Sequence, residues 1–308
     1  MPTQKNALVL LDGSQRSLMT VDYIAGMQMF QSMKVVLYTV FSGIPECYWD
    51  LEKEPSSVHA YHELRAWEKH KKEKIEEYMS TARSRLVNGG FPNAAIEVKI
   101  HDREKGIARD ILNEAQAGYR TVVLRRRGMG QLEGISMGSV ATKLLSKLTF
   151  LPIQVAGRKE QTNRILIGVD GSTAAAKAVD FVAENLGKYD CCVMLLHVIR
   201  GVGSIMPENS EFEMPVKNVE TAEANMQSHF KELREKLLSS GFKPESISEK
   251  IITGAYSRAG AIVMEAECGN YSTIVVGRRG LSKVREFFMG RVCQKVVQVG
   301  RYHTVWIV

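Results

Sequence analysis

The stretch with the most chemical potential is Ile274-Val275-Val276-Gly277-Arg278-Arg279-Gly280, followed by nine residues and then Gly290-Arg291-Val292. An apolar run enters a Gly-x-x-Gly turn, and a further glycine opens the next helical segment. Glycine lets the backbone approach a ligand closely and take positive φ. A helix start offers free amides and the positive end of a dipole to an anion. Arg278, Arg279 and Arg291 add guanidinium groups that match phosphate geometry. The expected chemistry is phosphate binding, against the plainer reading of a glycine turn with solvated arginines.

A second version lies upstream, as Val122-Val123-Leu124-Arg125-Arg126-Arg127-Gly128, nine residues, and Gly138-Ser139-Val140. Arg125 stands where the later version has Gly277, and its side chain is expected to obstruct a ligand there. Ser139 stands in the place of Arg291, and a small hydroxyl suits a phosphate-binding amide turn. The site is therefore expected to be better formed in the second version. Asp12 and Asp170 end the first apolar run of each version. A carboxylate there either caps the following helix or touches a polar edge of a ligand. Gly13-Ser14 and Gly171-Ser172 suit a turn and an N-cap under either reading.

These pairs belong to an internal repeat. Leu10 to Ser14 recurs as Gly168 to Ser172, and Val21 to Ala25 as Val179 to Ala183, both at an offset of 158. Gly90-Phe91 matches Gly241-Phe242 at 151, so the first copy carries extra residues, expected between Ser42 and Ser57. Two domains follow, residues 1–158 and 163–308, which agrees with a chain of 308 residues.

Each copy reads as strands alternating with helices. In the first copy, Ala7–Leu11 is a continuous apolar run, as a strand covered on both faces should be. Ser14 can cap a helix with Leu18, Val21, Ala25 and Met29 on one stripe. Strands over 35–40, 96–100, 121–124 and 152–155 then alternate with helices over 58–87, 107–115 and 139–148. The second copy repeats this order from Arg164 to Val308. The pattern predicts an α/β fold with a parallel sheet, right-handed crossovers, and ligands bound beyond the carboxyl ends of the strands. The last short strands, Pro152–Val155 and Thr304–Val308, read as exposed apolar edges that invite pairing.

Composition narrows the function classes. Hydrophobic residues make up 44% and charged residues 24%, ordinary globular values. The longest apolar run is six residues, Cys191–Leu196, far short of the roughly 20 that span a bilayer. Ala7–Leu11 is too short for a secretory core. No membrane partner and a cytoplasmic setting are therefore expected. A net charge of +7 could attract nucleic acid, but no nucleic-acid-binding motif accompanies it. Solvated lysines such as those of 69–74, or a small phosphorylated ligand, account for the excess. The five cysteines, at 47, 191, 192, 268 and 293, lack ligand spacing and read as buried reduced thiols. His59 and His62 are spaced i, i+3 without a third ligand, so no metal site is expected. The run Gly171 to Lys177 lacks the second glycine of a P-loop, and no catalytic triad stands out.

With the order of elements, the strand-terminal Asp and the Gly-x-x-Gly-x9-Gly spacing in place, the chain resembles the universal stress protein family over nearly its whole length, as two tandem copies. The resemblance implies two domains of the adenine nucleotide alpha hydrolase type, each a five-stranded parallel sheet with helices on both faces. It implies that the glycine loop wraps the phosphates of ATP or another adenine nucleotide, with or without Mg, while the Asp and a Val backbone after the second strand hold adenine. In the second copy those positions are Asp170, Val198, Gly277, Gly280, Gly290 and Arg291. In the first they are Asp12, Val40, Gly128, Gly138 and Ser139. Arg278, Arg279, Val292, Arg127 and Val140 complete the candidate set. The implied function is a non-enzymatic nucleotide-binding stress regulator. Two alternatives stand beside it, an interaction module that binds no nucleotide and a slow ATP hydrolase. The final strands are implied to pair, making an internal pseudo-dimer, with a homodimer as a further possibility.

Overall fold

A computed structural model of the chain describes residues 6–44, 58–126, 137–201, 216–281 and 289–308. The chain forms two compact units, Met1–Leu144 and Leu145–Val308. The first holds β1 (Asn6–Leu10), α1 (Gln15–Gly26), β2 (Lys34–Phe41), α2 (Val58–Asn88), β3 (Ile96–Asp102), α3 (Ile107–Glu114) and β4 (Thr121–Arg125). Its strands lie in the order β3-β2-β1-β4 with parallel pairing. Ala7, Leu8 and Val9 are wholly buried, which is why a continuous apolar run and not an alternating one forms β1. Helix α4 (Ser139–Lys147) crosses the boundary between the units. Most of the expected insertion in the first copy lies outside the described residues.

The second unit holds β5 (Ile153–Ala156), β6 (Arg164–Gly168), α5 (Thr173–Leu186), β7 (Cys192–Arg200), α6 (Val216–Ser239), β8 (Ile247–Ala255), α7 (Arg258–Cys268), β9 (Thr273–Val276), α8 (Arg291–Val299) and β10 (Thr304–Ile307). Its strand order is β5-β10-β9-β6-β7-β8. The five strands from β10 to β8 are parallel, as expected. The chain moves from β6 out to β8, then crosses back to β9 and β10. Right-handed crossovers therefore put α5 and α6 on one face and α7 and α8 on the other. The reversal falls between β6 and β9, where a cleft opens beyond the strand ends.

One sequence expectation holds and one needs correction. The final strands, read as edges that invite pairing, pair with each other within the chain. β10 pairs in parallel with β9 and antiparallel with β5, with Trp306 opposite Gln154 and Ile307 opposite Ile153. The repeat assigns β5 to the first copy, while β5 falls within the second compact unit. Trp306 is wholly buried and meets Phe181 edge to face at 5.7 Å. The correction concerns thiols. Cys191 and Cys293 are buried, but Cys192 and Cys268 are exposed. Cys191 and Cys192 face opposite ways because neighbouring side chains on extended backbone alternate. Cys47 lies outside the described residues.

Because β10 is interior, Trp306→Ala should destabilise the protein by about 3–5 kcal/mol, read as a fall in the denaturation midpoint. An unchanged midpoint would show that β10 does not hold the second unit. Burial pushes the thiols of Cys191 and Cys293 up to about 12. Alkylation of the native protein should therefore modify Cys192 and Cys268 and spare the other two, as peptide mass mapping would show.

Candidate functional site

Each copy builds the turn after its first strand in the same way. Gly13 and Gly171 take positive φ, +83° and +75°. Ser14 and Ser172 are the N-caps, their side chains accepting from Ser17 N and Ala175 N. The two aspartates are therefore not the caps. They organise the turn, with Ser14 N donating to Asp12 Oδ1 and Ser172 N to Asp170 Oδ1, each at 3.1 Å. In the first copy, α2 reaches over this turn. Tyr78 Oη lies 2.5 Å from Ser17 Oγ and donates to Ser14 O at 3.2 Å. Burial pushes the Tyr78 phenol up to about 12, so it remains a donor near neutral pH.

The glycine loops also share a closure. Gly138 N donates to Arg126 O at 2.7 Å, and Gly290 N to Arg278 O at 2.8 Å. In the second copy this bond brings the start of α8 against the end of β9. Gly290 is an N-cap without a side-chain bond, and the first helical bond runs from Gln294 N to Gly290 O. The amides of Arg291, Val292 and Cys293 precede it, and together they can receive an anion.

The loop glycines serve close packing, not positive φ. A Cβ on Gly277 would lie 2.7 Å from the carbonyl carbon of Ala174, on the first turn of α5. A Cβ on Gly280 would lie 2.3 Å from Asp170 Oδ2. The same carboxylate oxygen accepts Leu281 N at 3.3 Å. Asp170 thus bridges the β6 turn and the loop after β9, which a side chain at 280 would prevent.

Between these parts lies a cleft of about 230 Å³. Of the residues singled out from sequence, Asp170, Val198, Gly277 and Gly280 line it, and Arg279, Gly290, Arg291 and Val292 join them. Arg278 does not. It is 8% exposed, and its Nη1 donates to Leu145 O at 2.8 Å. Leu145 lies in the last turn of α4, where carbonyls lack helical partners and the dipole favours a cation. The assignment of Arg278 to a phosphate is corrected on that ground. Burial pushes its pKa below the ordinary guanidinium value; the Cys293 thiol opposes that shift and the Arg279 charge adds to it.

Sequence reasoning missed His197 and Arg258. His197 Nδ1 lies 2.8 Å from Val169 O. A carbonyl only accepts, so this nitrogen carries the proton and Nε2 of the neutral ring is an acceptor. Arg258 opens α7, and its Nε donates to Val198 O at 3.2 Å. The available signal was the cap: Ser257 Oγ accepts Gly260 N, which fixes the next residue at a helix start on the ligand edge. The β7–β8 register also shifts between Val198 and Arg200, an irregularity of the kind found beside binding sites.

In the first copy, Arg125 leaves β4 half-buried, its Nη2 3.5 Å from Met19 Sδ on α1. Val40 and Gly138 are half-buried, as are Asp12 and Val140, whereas Ser139 is exposed. Arg127 and Gly128 lie outside the described residues.

Comparison with known proteins agrees with this architecture. The universal stress protein family profile matches residues 4–150 and 161–302. A universal stress protein of Mycolicibacterium smegmatis is 25% identical over 207 residues, 66% of each chain. The crystal structure of a universal stress protein from Archaeoglobus fulgidus superposes with a TM-score of 0.64 at 18% identity, covering 99% of this chain and 98% of that one. A second, a putative universal stress protein from Pseudomonas aeruginosa, gives 0.58 at 14% identity and covers 99% and 93%. With two tandem profile matches across nearly its whole length, the chain belongs to the universal stress protein family.

Proposed function

We propose that the second copy binds a nucleotide with its phosphates at the start of α8, and that the protein acts as a non-enzymatic regulator in the stress response. The observation that carries this reading is the charge of the cleft. Arg258, Arg279 and Arg291 line it, and none has an ion-pair partner among the described residues. Among the described residues, Asp170 is the one carboxylate that lines it, and both its oxygens accept backbone amides. An excess of cations beside uncapped helix amides suits a polyphosphate. The family resemblance makes ATP, with or without Mg, the first ligand to test. With Asp170 engaged in the turn, a slow hydrolase would have to rely on His197 Nε2 as base.

The setting is proposed to be cytoplasmic, since the four described cysteines are free thiols, as a reducing compartment keeps them. No described helix is long and apolar enough to cross a membrane. The two tandem matches to one family support reading the chain as an internal pseudo-dimer.

Mass spectrometry of small molecules that copurify with the chain is the direct test. A nucleotide in the denatured extract supports the reading, and an empty protein that also fails to take up ATP in calorimetry refutes it. A charged hydrogen bond is worth roughly 1.5–3 kcal/mol. Arg291→Ser should therefore weaken ATP by about one to two decades while leaving adenosine nearly unchanged. If Arg291→Ser tightens ATP instead, the arginine is a steric block.

Arg278→Ala provides the contrast. It should cost stability, about 1–3 kcal/mol for a carbonyl left without its donor, without changing the preference for ATP over adenosine. Gly280→Ala should lower affinity by displacing the Asp170 carboxylate. Gly277→Arg is a poor probe of ligand space, because it drives a side chain into α5 and should lower the melting temperature first.

A further inference from the structure

The floor of the cleft is a row of three residues on neighbouring strands. Val276 on β9 and Leu196 on β7 each stand opposite Gly168, the last residue of β6, and all three line the cleft. Residues opposite one another in a parallel sheet direct their side chains to the same face. The middle position of this row is bare. A Cβ on Gly168 would lie 3.3 Å from Ile262 Cδ1 and 3.4 Å from Val276 Cγ1, so the bare position faces α7. The strands that flank it stand roughly 9–10 Å apart, two sheet spacings. Between apolar walls of that separation a flat ring can lie directly on the backbone, because glycine lets it approach.

The first copy has a different floor. At the offset of 158, Leu10 takes the place of Gly168 and Tyr38 that of Leu196. The strand register agrees, since Leu10 stands opposite Tyr38 as Gly168 stands opposite Leu196. Tyr38 is 2% exposed, and its ring stacks on that of His101 at 6.1 Å. Burial, with the Glu114 and Asp110 carboxylates beside it, pushes the phenol above its ordinary value. Both carboxylates belong to α3, so the ring is on the α3 face, and Leu10 shares that face. The four side-chain carbons of Leu10 therefore occupy the position that is open in the second copy, with a larger ring beside them. The aspartate turns of the two copies are built alike and do not account for the difference.

We infer that the chain takes one nucleotide and not two, and that the residue two places before each aspartate decides this: Gly168 admits the nucleoside, and Leu10, backed by Tyr38, excludes it. Forcing a ring against Leu10 would require the displacement of packed side chains that makes an overfilled core unstable. The inference rests on the nucleotide reading above and adds to it a stoichiometry and the residue that sets it. Gly168 has no side chain to offer the phosphates, so its role is separable from that of Arg291 and the α8 amides.

Calorimetry of the full chain with ATP and with inorganic tripolyphosphate tests it. The wild-type protein should take one ATP per chain. Gly168→Leu, which installs the residue of the first copy, should weaken ATP about tenfold or more, while tripolyphosphate, which has no ring, binds as before. Gly168→Ala adds one carbon, to which the end of the Ile262 side chain can yield, and should weaken ATP by less. Retained tripolyphosphate binding would show each variant folded with its phosphate end intact. Should Gly168→Leu fail to fold, the wild-type stoichiometry and Gly168→Ala still decide the matter. Two ATP per wild-type chain, or ATP affinity undiminished in both variants, would overturn the inference and leave the nucleotide reading standing. Equal losses of ATP and tripolyphosphate in Gly168→Ala would overturn the role of Gly168 as the floor of the ring. A wild-type chain that does not bind ATP would overturn the nucleotide reading and the inference together.

Discussion

The second unit depends on the hydrogen bonds made on both sides of β10. A strand of four residues, Thr304–Ile307, is held in parallel by β9 and antiparallel by β5. Every one of its residues is buried, and Trp306 fills the space against Phe181 on α5. A short segment with every backbone group paired and every side chain enclosed gives a sheet centre far more than its length suggests. The same bonds continue past the strand to the loop: Val308 N donates to Val276 O, and Arg278 N donates to Val308 O. The point at which the glycine loop leaves the sheet is therefore set by the last residues of the chain.

From that anchor the cleft is assembled by short-range ties. Arg278 turns its side chain to the end of α4, so the loop is tethered from beneath and Arg279 is left facing the ligand space. Gly290 N closes the loop onto Arg278 O, which delivers the bare start of α8. Asp170 then joins the loop to the β6 turn through two amides. Each tie satisfies a backbone group that would otherwise be orphaned near the protein interior, and their common result is a concave wall of donors. The cation excess is tolerable because the arginines concerned are on the rim, where solvent screens their mutual repulsion.

The two copies have the same skeleton with different site chemistry. The aspartate turns, the serine caps and the glycine-to-arginine loop bond are reproduced almost atom for atom. What differs is the side chain at the end of the fourth strand, Arg125 against Gly277, and the residue opening the third helix, Ile107 against Arg258. Repetition of a fold constrains the backbone hydrogen bonds, whereas the side chains at the cleft can diverge without disturbing them.

Much of this was legible in the sequence because it depends on local rules. Continuous apolar runs, serine caps and alternating elements are set by residues within a few positions of one another, and the helix Gln15–Gly26 starts where Ser14 was expected to cap it. The glycine spacing likewise pointed to the loop and to α8. Side-chain direction was not legible. Arg278 and Arg279 are adjacent and chemically identical, yet one caps α4 from the interior and the other lines the cleft, a choice made by the carbonyl of Leu145, 133 residues away. The loop glycines looked like space for a ligand, and only the packed structure shows Ala174 and Asp170 filling it. The sequence by itself determined which segments become strands and helices and where the glycine loop meets the start of α8. Tertiary structure decided that β5 pairs with β10, which arginine lines the cleft, and that Arg258 bonds Val198 O, because each of these rests on a contact between residues that only the sheet brings together.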